Sequence, residues 1–117
     1  MKYVLLVYQG TTPLPGSERW QALTDAEQQA IYADYAAINK TEGLAPGLPL
    51  GLPEAARTVQ VQDGQTRVKN GTYLPEGVGG FSVYEADSVD AAIALAARIP
   101  AARLGGAVEI RPVEKYW

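Results

Sequence analysis

Four side chains in the second half of the chain are of types that could do chemistry: Asn70, Tyr73, Glu76 and Arg103. Glu76 is the one carboxylate in the glycine-rich run 70–80 (NGTYLPEGVGG). A carboxylate held against a substrate can take a proton; on a loop it reads first as a solvated charge. Arg103 can bind a carboxylate or phenolate, or donate to the last carbonyls of a preceding helix. Tyr73 can line a pocket or pack over a sheet. Asn70-Gly71 joins an amide, which cannot act as a base, to a dipeptide pattern that favours a tight turn. Glu109 and Arg111 alternate with core residues and project from the far sheet face, toward a barrel interior or dimer seam, where each reads as a charge in a structural ion pair with a partner. Tyr3, Tyr8, Trp20 and Trp117 read as packing or interface residues. Gly77, Gly79 and Gly80 lack the following Lys-Ser/Thr of a phosphate loop and read as a flexible flap.

What is missing narrows the chemistry further. The 117 residues include no cysteine and no histidine. This excludes disulfides, thiolate nucleophiles, imidazole bases and His- or Cys-ligated metal, so neither a metal nor a cofactor is expected. The net charge is −3, with 4 basic and 6 acidic side chains in residues 1–60 and 6 and 7 in the remainder. No basic stripe is present, so nucleic acid is not an expected partner. No run of about 18 apolar residues exists and the apolar opening is too short for a signal peptide, so no membrane association is expected and the cytoplasm is the expected compartment. Hydrophobic residues make up 47% of the chain. One domain over residues 1–117 follows from this length and composition.

These candidate residues need elements to position them. Lys2–Tyr8 (KYVLLVY) reads as a strand apolar on both faces, which requires cover on both sides. Residues 9–17 read as a loop. Thr24-Asp25-Ala26-Glu27 fits a capping box opening a helix over 24–42, with Ile31, Tyr35 and Ile38 as its apolar stripe and Gly43 past its end. The Pro/Gly-rich run 44–53 reads as a loop with a short edge strand near 48–52. Asp63-Gly64 between two alternating runs predicts a type I′ hairpin pairing Val59 with Val68 and Val61 with Thr66. Residues 81–85 read as a strand. Asp87 or Ser88 caps a second helix, with Val89, Ala92, Ile93 and Ala96 as its stripe, which Pro100 ends. Residues 107–113 form the last strand.

The order β, α, β-hairpin, β, α, β is that of an α+β, ferredoxin-like antiparallel sheet with two helices on one face. Nothing in the sequence supplies a third layer, so the open sheet face is expected to be covered by a second copy, giving a homodimer. The strings MKYVLLVY, TVQVQDGQTRV, GGFSVYEADSVDAAIALAARIP and AARLGGAVEIRPV, in that order, resemble the YCII-related family, and most closely its branch named for a DGPF motif. The resemblance implies a dimeric α/β barrel. It also implies an Asp and a His working in a cleft beside the barrel. Asn70-Gly71-Thr72-Tyr73 stands where the Asp-Gly-Pro-Phe motif belongs, and Leu104, in Ala102-Arg103-Leu104-Gly105, stands where the His belongs.

Two functional expectations follow. The first is a small-molecule-binding or regulatory homodimer that lacks the acid–base pair, with Asn70, Tyr73 and Arg103 at its ligand. The alternative is a cofactor-free lyase- or oxygenase-type enzyme acting on a small aromatic or polyketide-like substrate. There Glu76 would be the base and Arg103 would stabilise an anionic intermediate. A third possibility, a purely structural interaction module, predicts no cavity of ligand size.

Overall fold

A computed structural model describes residues 1–75 and 77–116. Its central strand is β1 (Lys2–Tyr8), whose β-branched and aromatic residues suit a strand paired on both edges. It pairs antiparallel with β5 (Val78–Glu85) on one side and β6 (Ala107–Pro112) on the other. β2 (Leu44–Pro46) adds to the far edge of β5, giving the four-stranded order β2-β5-β1-β6. This is the ferredoxin-like arrangement.

Two longer helices lie between strands. Thr24 caps α2 (Asp25–Asn39): its hydroxyl accepts from the Glu27 amide at 3.1 Å, and the Glu27 carboxylate accepts from the Thr24 amide at 3.0 Å. The expected capping box is therefore formed, and the helix stops three residues short of the expected 42. Ser88 caps α3 (Val89–Ala96). Both helices pack on the face of β1 that carries Tyr3, Leu5 and Val7. Leu5, at 0% exposure, meets Ile38 of α2 and Leu95 of α3, with Ile99 and Ala101 completing the main core. Tyr3 packs with Ala86 and Ala92 in a second cluster.

Several expectations need correction. The inward stripe of α3 is Ala92, Leu95 and Ala96; Val89 and Ile93 are 48 and 51% exposed. The helix is almost wholly apolar, so periodicity alone did not fix which side faces the sheet. The edge strand is Leu44–Pro46, placed before 48–52, because Leu44 pairs with Tyr84 and packs on the core while Pro46 is tolerated on an edge. The amides of Gly47 and Leu50 still donate to the carbonyls of Phe81 and Gly79 at 2.9 and 3.2 Å, so this segment follows β5 as a strap beyond the strand. Gly79 and Gly80 belong to β5 and form no flap.

A short helix, α1 (Glu18–Gln21), lies between the expected loop 9–17 and α2, in a stretch where no element is expected from the sequence. Four residues are too few to show a period. The Ser17 hydroxyl accepts from the Trp20 amide, and buried Trp20 meets Tyr32 edge-on, with centroids 5.2 Å apart. Trp20 thus packs as expected; Trp117 lies outside the described residues.

The hairpin forms in the expected register, Val59 opposite Val68 and Val61 opposite Thr66. Asp63 and Gly64 both take positive φ (52° and 74°), as a type I′ turn requires. Yet β3 (Arg57–Gln62) and β4 (Gln65–Asn70) form a sheet of their own, and β2 takes the position in the main sheet that the hairpin was expected to enter. On the main sheet's other face Val4, Leu6 and Tyr8 align with Val83, Phe81 and Val78. No helix covers them.

Candidate functional site

A cavity of about 570 Å³ opens between α2, the helix-facing side of β1 and β5, and the strap 46–52. Its volume lies within the range of small-molecule sites. Val7, Ile38, Leu44 and Ile99 line its inner wall, and Tyr32 and Tyr35 line the wall formed by α2. Leu48, Leu50 and Leu52 belong to the strap side. Among the described residues that line it, none is charged.

Two polar side chains of this cavity, Gln9 and Thr12, come from the chain just after β1, and Asn39 of α2 and Ser82 of β5 add two more. The Gln9 amide donates to the Gly77 carbonyl at 2.9 Å, and the Gln9 carbonyl accepts from the Thr12 amide at 2.8 Å. This backbone fixes both side chains. Gln9 is only 4% exposed, and neither its Oε1 nor the Thr12 Oγ1 has a hydrogen-bond partner within the chain. A buried polar atom without a partner costs free energy, so two at one cavity mark a place that a ligand can satisfy.

Local sequence explains how Gln9 fits. The β1–β5 register shifts between Val7, which faces Gly80, and Tyr8, which faces Val78, leaving Gly79 as a bulge. A Cβ at Gly79 would collide with the Gln9 side chain. A Cβ at Gly80 would meet nothing within 4 Å, although Gly80 shares a face with Val7 and lines the cavity. The two glycines that read as a flap instead seat Gln9 and leave the cavity floor open.

Tyr35 lies in the wall of this cavity. Burial pushes its phenol up from the ordinary tyrosine value, and the Arg103 guanidinium opposes this in part. At neutral pH the phenol is therefore protonated and uncharged.

The expected site residues lie elsewhere. The Arg103 guanidinium donates to Asp34 Oδ2 on α2, so it binds a carboxylate of its own chain and leaves the carbonyls of α3 alone. The pair lines a separate open cleft of about 380 Å³ with Ala37, Ala97 and Arg98; Ile38 is the wall common to both. Asn70 ends β4 opposite Arg57, and Tyr73 is 66% exposed; neither lines either cavity. Of the three expected ligand residues, Arg103 alone lines one of these two cavities, the smaller one. Glu76 lies outside the described residues. Leu104 is half-buried after a 3₁₀ turn, its amide donating to the Pro100 carbonyl. Glu109 and Arg111 pair with each other at 3.4 Å, exposed to solvent and so weak, and are not the buried charges the sequence suggested.

Sequence reasoning missed Gln9, Thr12 and Tyr35 as site residues. They are uncharged, and they come from a loop and a helix that meet only in the folded chain. The available signal was the Gly79-Gly80 pair within a strand, since strand glycine often marks a bulge or a close approach.

The YCII-related domain matches residues 1–116, and the chain belongs to that family. No curated protein matches it significantly.

Proposed function

We propose that this protein is a small-molecule-binding homodimer of the YCII-related family, of the DGPF branch, working by binding without the acid–base pair that the resemblance implies. Asn70 and Leu104 occupy the two matched positions, and neither side chain can transfer a proton as an acid or base. The observation that carries the reading is the cavity beside β1, with an uncharged described lining and buried, unpartnered atoms on Gln9 and Thr12. A cytoplasmic place fits a chain in which no described helix is long and apolar enough to cross a membrane.

The second copy completes the fold in this reading. Val4, Leu6 and Tyr8 lie on an uncovered face with Phe81, and burying such a surface is the main source of association free energy. The test of function is titration of ¹⁵N-labelled protein with a panel of small aromatic molecules, neutral and acidic, followed by amide shifts. Saturable shifts confined to the cavity support binding there; a panel that moves no cavity amide overturns it.

A further inference from the structure

The cavity's lining says what kind of molecule suits it. Resting on the binding function proposed above, we propose that its ligand is an uncharged, largely apolar molecule ending in a group that both donates and accepts hydrogen bonds. That end docks on Gln9, and Gly80 sets how far the apolar end can reach.

Three observations converge. First, an ionised ligand would meet no counter-ion among the described lining residues, none of which is charged. Arg103, whose charge acts on the Tyr35 phenol, lines the separate cleft that shares Ile38 and is engaged by Asp34. Leaving a buried charge unpaired is among the costliest events in binding. Second, a side-chain amide and a hydroxyl in the lining of the same cavity each carry an unpartnered buried oxygen. Gln9 presents an acceptor and a donor on one plane, and Thr12 adds a hydroxyl that does either, so a primary amide is the simplest complement. Third, apart from Asn39 and Ser82 the rest of the described wall is largely aliphatic and aromatic, with Val7, Leu44, Ile99 and Tyr35 among it.

Gly80 gives the proposal a handle. Its backbone is not left-handed, and a side chain there would project into space. Valine suits a strand, so Gly80→Val narrows the cavity at its β5 wall without straining β5.

The experiment is calorimetric titration with phenylalkanamides from phenylpropanamide to phenylpentanamide, each beside its methyl ester and its carboxylate. The amide should bind about 100-fold more tightly than the carboxylate and about 10-fold more tightly than the ester, which lacks a donor. Gly80→Val should abolish binding. The milder Gly80→Ala should weaken the longest probe most, and it serves if the valine variant does not fold. Gln9→Leu should retain binding and lose the preference for amide over ester. A carboxylate that binds as tightly as its amide, while Gly80→Val still blocks both, overturns the neutral ligand and leaves the cavity as the binding site. No saturable binding by any probe, or binding untouched by either Gly80 variant, overturns both readings.

Discussion

Gln9 carries an unusual burden for a residue at the end of a strand. It is almost fully buried, its backbone is paired at both N–H and C=O, and its side-chain oxygen has no partner. A residue selected for folding alone would be apolar here, since an unsatisfied buried acceptor costs about 1–3 kcal/mol. Gln9→Leu should therefore stabilise the ligand-free protein by about 1 kcal/mol in urea unfolding. A loss of stability of that size would instead make Gln9 a structural residue. No motif announces this position. Histidines, cysteines and clustered carboxylates can be read from spacing because few residue types do their chemistry. A glutamine and a threonine become a site only when a bulge at Gly79 turns one of them inward.

At the scale of elements, legibility followed local information. The capping box of α2 and the Asp63-Gly64 hairpin are written in contiguous residues, and both form in the expected register. The inward side of α3 and the position of the edge strand depend on distant partners, and both shifted. Thr24→Ala should cost about 1 kcal/mol of stability, measured by denaturant unfolding. The other half of the box responds to acid. The backbone and hydroxyl hydrogen bonds from Thr24 lower the Glu27 pKa below the ordinary carboxylate value. A lowered folded pKa stabilises above the unfolded pKa, and that contribution is lost as pH falls through the folded value. The stability advantage of the wild type over Glu27→Gln should accordingly shrink on acidification through the carboxylate range; an advantage that stays constant there would contradict the box as an electrostatic device.

The whole molecule is flat and extended. Its extents are 48 × 42 × 19 Å and its radius of gyration is 15.9 Å, against roughly 13 Å for a compact chain of this length. The hairpin stands apart from the main sheet with Val59, Val61 and Val68 well exposed, and an isolated two-stranded hairpin is marginal in water. The open sheet face adds Leu6 and Phe81. A second copy is the cover expected from the sequence, and the shape of the single chain supports that proposal. Light scattering coupled to gel filtration should give about twice the chain mass of 12.5 kDa. Leu6→Lys, on the open face, should shift the protein toward monomer. A monomeric wild type at micromolar concentration would remove the dimer from the proposal.

The central claim is that ligand binds at Gln9 and Gly80, away from the residues matched to the family motif. It is tested most directly by the ¹⁵N titration with a neutral aromatic amide. The account predicts saturable shifts at the Gln9 side-chain amide and the Gly80 backbone amide, with Asn70 and Tyr73 unmoved. Shifts centred on Asn70, Tyr73 and Arg103, with Gln9 and Gly80 silent, would contradict it.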